Sequence, residues 1–128
     1  MTARERDSRL RLEILRRRDH IEGLLRRLQA PGPLIAGSVY SRKRRCGKPR
    51  CRCVKGQLHA DRVLAIRRAG RVALRALDPI EDAPIEDGVA AWRGFRRERR
   101  ELGSACRELL ETVDRLGRAR RREPSGLR

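Results

Sequence analysis

Apolar residues near the N-terminus recur at helical spacing. Three of them repeat at every seventh position: Ile14, Ile21 and Leu28. This is the period of one face of an α-helix. Thr2 and Glu5 have the spacing of a capping box, in which each satisfies a free backbone N–H of the first turn. Because a Pro-Gly-Pro run follows and proline cannot continue a helix, the pattern predicts a helix over residues 2–29.

A longer apolar stripe lies near the C-terminus. Its members alternate spacings of three and four, with one arginine among them: Trp92, Phe95, Arg99, Leu102, Cys106, Leu109, Val113 and Leu116. This spacing is typical of coiled-coil helices. Asp82 is a suitable N-cap residue. We therefore predict a helix over residues 84–122, with Cys106 buried in its core face, and a frayed tail at 124–128.

Between these helices the apolar runs are short. Val63–Ile66 and Val72–Leu74 lie on either side of Gly70. Glycine permits the backbone conformation of a tight turn. The runs therefore predict a β-hairpin with strands at 62–68 and 71–77.

One further strand is predicted at residues 35–44, which include the good β-formers Val39 and Tyr40. The complete pattern predicts an α+β fold. An N-terminal helix precedes a small antiparallel sheet with a cysteine-rich loop at 34–77, and the long C-terminal helix packs antiparallel to the first. A chain of 128 residues suits a single domain, which we place at 1–123.

The loop contains the clearest candidate chemistry. Three of the four cysteines and one histidine follow the spacing C-x4-C-x-C-x5-H: Cys46, Cys51, Cys53 and His59. Three thiolates and an imidazole are the ligand set of a closed, tetrahedral zinc site. The sequence therefore predicts one structural zinc ion. Two alternatives stay open at this stage: reduced thiols in a surface loop, and redox or disulfide chemistry.

Positive charge is concentrated around the same cysteines. The chain has a formal net charge of +17, and residues 31–60 contain no acidic side chain. Eight cations surround the loop: Arg42, Lys43, Arg44, Arg45, Lys48, Arg50, Arg52 and Lys55. Such a patch suits the phosphates of DNA or RNA, which are contacted with little regard to base sequence. We expect nucleic acid as the partner of these eight residues.

An acidic segment follows the hairpin. Residues 78–92 contain five acidic side chains and no basic one. A loop and helix start is the simplest interpretation, since acidic residues suit the positive end of a helix dipole. A patch that shields the basic surface or contacts a partner is the alternative.

The cysteine loop also carries a resemblance. Gly37-Ser38-Val39, the run Arg45–Cys53 and Leu58-His59 resemble a family of small, uncharacterised prokaryotic proteins with a C-G-K-P-x-C-x-C core followed by Leu-His. The resemblance covers residues 37–110 and implies a leading and a long trailing helix. Members are sometimes labelled as transposon-related, which implies a role with nucleic acid. The family has Gly-Pro and aromatics where this chain has Ala60–Val63, so no aromatic platform is expected.

Other classes of function are less compatible with the sequence. No nucleophile–base pair, P-loop or glycine fingerprint occurs, so we expect no enzyme. No apolar run is long enough to cross a membrane and no secretory signal is present, which predicts a cytoplasmic protein. The alternative to nucleic-acid binding is a helical adaptor or a homodimer formed through one face of the last helix: Trp92, Phe95, Leu102, Leu109 and Leu116.

Overall fold

A computed structural model describes all 128 residues. Its elements follow one another as α1 (Ala3–Leu28), β1 (Ser38–Arg44), a 3₁₀ turn (Arg52–Lys55), β2 (His59–Arg68), β3 (Arg71–Leu77) and α2 (Ala83–Arg120). The strands form an antiparallel sheet in the order β1-β2-β3. The predicted α+β fold is therefore confirmed. Neither helix has an apolar stretch that could cross a membrane.

The chain divides into two units, and α2 contributes to both. The helical unit consists of Met1–Pro31 and Phe95–Arg128, and the sheet unit consists of Gly32–Gly94. The prediction of a single domain over 1–123 stays a prediction.

In the helical unit, α1 packs antiparallel to the C-terminal part of α2. The direction follows from three ion pairs and one contact between a histidine and a carboxylate, in all of which later residues of α1 meet earlier residues of α2: Glu13–Arg115, Arg17–Glu108, Arg27–Glu98 and the contact His20–Glu101. The predicted capping box is present, since Glu5 N donates to Thr2 Oγ1 and Thr2 N donates to Glu5 Oε2. The buried residues are few and come from both helices: Leu10, Leu24, Ala105 and Thr112.

The predicted core position of Cys106 is wrong, because Cys106 is exposed. The face of α2 that packs on α1 shares Leu102, Leu109 and Leu116 with the predicted stripe. At the stripe position before each of these leucines it uses the preceding residue, so that Glu98, Ala105 and Thr112 take the places of Arg99, Cys106 and Val113. Its members in the helical unit are Glu98, Leu102, Ala105, Leu109, Thr112 and Leu116. Thr112 is tolerated there because its Oγ1 donates a 2.9 Å hydrogen bond to the carbonyl oxygen of Glu108, which satisfies a buried hydroxyl.

The sheet unit has a small apolar core on the face of the sheet that meets the first turns of α2. Leu64 and Leu77 of the sheet pack with Val89 of α2, and four partly buried residues surround them: Ile35, Val39, Ile66 and Ile85. The predicted strand at 35–44 begins later, at Ser38. Its first predicted residues instead approach α2, where the N–H of Ile35 donates to the carbonyl oxygen of Gly88.

The acidic segment neutralises arginines on that same face of the sheet. Glu86 accepts from Arg62 at 2.6 Å, and Asp82 accepts from Arg75 at 3.0 Å. Asp82 precedes α2 as predicted for an N-cap, but its carboxylate is occupied by Arg75 and by the N–H of Asp78. Some of the chain's positive charge is thus balanced within the sheet unit.

Candidate metal centre

The four predicted ligands come together at one end of the β1–β2 pair. Cys46, Cys51 and Cys53 lie in the connection between the strands, and His59 is the first residue of β2, paired with Arg44 at the end of β1. The four ligand atoms all lie within 4.8 Å of one another. Cys106 belongs to the helical unit and is outside this cluster.

Local backbone geometry turns the three cysteines toward a common point. Gly47 has φ of +83° and Gly56 has φ of +101°, a region that glycine adopts without steric cost. Gly47 reverses the chain directly after the first ligand, and Gly56 ends the 3₁₀ turn that contains the third. Within this turn Cys53 is fully buried, whereas Cys51 precedes it in an extended conformation.

The distances between ligand atoms suit a shared ion. Cys46 Sγ and Cys53 Sγ are 3.6 Å apart, and Cys51 Sγ and His59 Nε2 are 3.0 Å apart. In a tetrahedral site with metal–ligand bonds of about 2.0–2.3 Å, ligand atoms are separated by about 3.3–3.8 Å. The sulfur pair already meets this spacing, and the Cys51–His59 pair needs to open by a few tenths of an ångström. The four residues therefore fit a metal ion.

The cluster also favours a thiolate at Cys51. The backbone N–H of Cys53, the Cys46 thiol and the His59 imidazole lower the pKa of Cys51 to about 6. At Cys46, the N–H of Lys48 favours the thiolate, but desolvation of the sulfur and the neighbouring sulfurs outweigh it and raise the pKa. A metal ion binds the deprotonated sulfur, so at least one ligand is ready for coordination near neutral pH.

The N–H of Cys46 donates to Cys53 Sγ at 3.4 Å, which orients the buried sulfur relative to the first ligand. In metal sites, hydrogen bonds from neighbouring groups to the ligand atoms fix the geometry of the ligands.

The comparison with known families adds one finding. A family model described as a domain of unknown function, DUF6788, matches residues 11–79. The chain belongs to the DUF6788 family.

The DUF6788 match contains all four ligands and all three strands, together with most of α1. It ends before α2, so its limits differ from the region 37–110 that the resemblance covers. No curated protein and no solved structure gives a significant match. The family match therefore covers the cysteine cluster on its sheet and brings no assigned activity.

The eight predicted cations of this DUF6788 domain fall into two groups. Arg42 and Arg44 pair with Asp61 at 3.0 and 3.6 Å. The other six form no ion pair: Lys43, Arg45, Lys48, Arg50, Arg52 and Lys55. All six are exposed, and we call them the loop cations.

Sequence reasoning did not find Asp61. It faces Arg42 directly across the β1–β2 pair, and the Arg42 guanidinium lowers the pKa of its carboxyl group. The register of the two strands was the missing information, since the two residues are far apart in the chain.

Proposed function

We propose that this protein is a non-enzymatic module that a structural zinc ion stabilises and that binds nucleic acid through phosphate contacts. The supporting observation is that six exposed loop cations without ion pairs surround a cluster of metal-ligating side chains. A metal ion would fix the loop and hold these cations as one surface. The proposal includes a cytoplasmic location, where thiols stay reduced.

Zinc is the metal we infer because of the donor set. Thiolate sulfur and imidazole nitrogen suit zinc better than they suit calcium or magnesium, which prefer oxygen. Four protein ligands would fill a tetrahedral coordination sphere and leave no position for a substrate. The ion would therefore serve the fold, and its chemistry is not used for catalysis.

Phosphate is the ligand chemistry that the loop cations favour. Two arginines on the α2-facing side of the sheet, Arg62 and Arg75, have acidic partners in Glu86 and Asp82. By contrast, the stretch from Lys43 to Lys55 contains no acidic residue. A polyanion can therefore neutralise cations that the protein itself leaves unpaired, and it releases condensed counterions as it does so.

The test is a binding titration of the zinc-loaded full chain with duplex DNA and single-stranded RNA at two salt concentrations. With four to six phosphate contacts, affinity for duplex DNA should fall by roughly two to three decades between about 50 and about 200 mM salt. The variant Arg45→Ala/Lys48→Ala/Arg50→Ala should weaken binding on all sequences. It should also reduce the slope of log affinity against log salt by about 0.9 for each phosphate that the variant no longer neutralises.

A matched control removes the same charge elsewhere. Arg4, Arg6 and Arg9 are exposed residues of α1 without ion pairs, and Arg4→Ala/Arg6→Ala/Arg9→Ala should keep the salt slope. Equal loss in both triple variants would show that net charge alone is responsible and would overturn the assignment to the loop. No retention of either nucleic acid at low salt would overturn the proposal altogether.

A further inference from the structure

Two of the sulfur atoms in the candidate metal centre form a close pair. Cys46 Sγ lies 3.6 Å from Cys53 Sγ, whereas Cys51 Sγ lies 3.0 Å from Nε2 of the His59 imidazole. Two neighbouring sulfurs can bind one metal ion together, but they can also be joined as a disulfide when two electrons are removed. Redox chemistry, which the sequence leaves open as an alternative, therefore has a definite location at Cys46 and Cys53.

The two members of this pair differ in accessibility. Cys46 is exposed and Cys53 is fully buried, so a small oxidant in solvent meets Cys46 first. A thiol that binds a metal ion is deprotonated. In the loaded site, exposure therefore decides which of the two sulfurs reacts first, whatever the pKa order of the free thiols. Cys53 is shielded from solvent but lies within reach of Cys46.

Local geometry favours a bond between Cys46 and Cys53. The N–H of Cys46 donates to Cys53 Sγ at 3.4 Å, which holds the buried sulfur against the exposed residue. A Cβ at Gly47 would meet nothing beyond its chain neighbours within 4 Å, so the backbone after Cys46 has room to shift as the sulfurs close to a bond of about 2.0 Å. A bond between Cys51 and Cys53 would instead enclose only one intervening residue, and Cys51 already contacts His59.

We propose that Cys46 and Cys53 form a reversible redox switch, in which hydrogen peroxide joins the two sulfurs and the metal site empties. The Cys46 thiolate attacks one peroxide oxygen, the O–O bond breaks, and a sulfenic acid and a hydroxide ion form. The Cys53 thiolate then attacks the Cys46 sulfur, the S–O bond breaks, and a disulfide and a second hydroxide form. Solvent protons convert both hydroxides to water, so each sulfur has lost one electron and the peroxide has gained two.

Formation of this disulfide removes two of the four ligands. The thiolate is the form of cysteine that ligates a metal ion, and only Cys51 and His59 would remain to hold it. The inference rests on the zinc site of the proposed function and adds its regulation. Three of the loop cations, Lys48, Arg50 and Arg52, lie between the two cysteines, so the same event alters the surface that we propose binds phosphate. Transient disulfides of this kind occur in the cytosol as redox sensors.

The experiment is peptide mapping of the zinc-loaded full chain after treatment with hydrogen peroxide, with the remaining thiols blocked by iodoacetamide. Trypsin separates the three cysteines because an arginine precedes each of them, and Lys48 is not cleaved because a proline follows it. The product should link peptide 46–50 to peptide 53–55. Dimedone, which traps sulfenic acids, should label peptide 46–50 and prevent the link. A zinc indicator should record one ion released for each disulfide, and dithiothreitol should restore zinc binding.

Cys106→Ser is the matched control, because Cys106 lies outside the cluster, and it should give the same link and the same release. No disulfide, a link that includes peptide 51–52, or a link between two chains would overturn the assigned pair. Dimedone on peptide 53–55 would overturn the order of the two steps. A disulfide that forms without release of the ion would overturn the switch.

Failure of the zinc site itself is distinguishable from failure of the switch. A purified chain that holds no zinc would contradict the proposed function and the release step with it. The peptide map of that same sample still decides on the sulfur pair, since a link between peptides 46–50 and 53–55 needs only the two thiols and the peroxide. Cys46→Ser should abolish this link and leave Cys53 unlinked, whether or not the variant retains the ion.

Discussion

The backbone N–H of Ile35 donates a 3.0 Å hydrogen bond to the carbonyl oxygen of Gly88. The approach is so close that a Cβ on Gly88 would lie 2.7 Å from Ile35 Cδ1 and 2.8 Å from Ile35 Cγ1. This contact holds the segment before β1 against the first turns of α2. Gly88 is therefore required by space, because an added methyl group would need to displace a partly buried side chain of the core.

We expect Gly88→Ala to lower the free energy of unfolding by about 1–3 kcal/mol, the usual cost of overpacking a core. Urea denaturation monitored by circular dichroism measures it. The matched control is Gly23→Ala in α1, where the added Cβ would meet only Arg27 Nη1 at 3.7 Å. That variant should be stabilised by up to about 1 kcal/mol, and stabilisation of Gly88→Ala as well would contradict the close approach.

The phase of α2 predicts a contrast between neighbouring residues. Ala105 is 3% exposed and faces α1, whereas Ser104 is exposed. Ala105→Leu should lower the free energy of unfolding by about 1–3 kcal/mol because the interface has no room for the larger side chain. Ser104→Leu should change it by less than about 0.5 kcal/mol. Small and equal effects of both variants in chemical denaturation would contradict the packing of Ala105 against α1.

The cysteine cluster predicts one zinc ion per chain. Cys51→Ser should abolish binding, because a hydroxyl is a poor replacement for a thiolate ligand, and chelation should loosen the loop. Metal analysis of reduced, purified protein measures the stoichiometry. Cys106→Ser is the control, since Cys106 is outside the cluster, and it should retain the ion. Purified protein that contains no zinc, and whose spectrum does not change when zinc is added, would contradict this prediction.

Glu13 predicts a pH-dependent contribution to stability. Its hydrogen bond with Arg17 lowers the pKa of Glu13 below its ordinary value, and Arg115 acts in the same direction. A carboxyl group whose pKa is lower in the folded state than in the unfolded state stabilises the fold at pH values above the unfolded pKa. This contribution is lost as the pH falls through the folded pKa. Melting temperatures of wild type and Glu13→Gln should therefore differ near pH 7 and converge as the pH falls through the lowered folded-state pKa of Glu13.

Glu111 supplies the control for this measurement because it forms no ion pair and is exposed. Glu111→Gln should leave the pH profile of the melting temperature close to that of wild type. A difference between wild type and Glu13→Gln that persists unchanged at low pH would indicate that the effect of Glu13 is not electrostatic.

Local signals were sufficient for most of the fold. The capping box at Thr2 marks the start of α1, and β3 has the predicted limits because Gly70 fixes the turn before it. The cluster that could hold a metal ion was likewise predictable, since Cys46, Cys51 and Cys53 lie within one short loop. In each case the deciding residues are close together in the sequence.

The errors arise where partners are distant in the chain. Spacings of three and four fit the face with Ala105 as well as the face with Cys106, and only packing against α1 selects the first. The start of β1 is shifted because Ile35 bonds to Gly88 instead of extending the sheet. The pairing of Arg42 with Asp61 likewise depends on strand register, which the sequence alone does not specify.

The two strand connections of the sheet differ greatly in length. Only Ala69 and Gly70 join β2 to β3, whereas residues 45–58 separate the paired ends Arg44 and His59. Closing the longer loop costs more chain entropy, so we expect the β2–β3 hairpin to form early in folding and β1 to dock late. A metal ion bound by both Cys46 and His59 would hold the two ends of this loop together and so lower the entropy cost of closing it. Uptake of the ion would then set the rate at which β1 joins the β2–β3 hairpin.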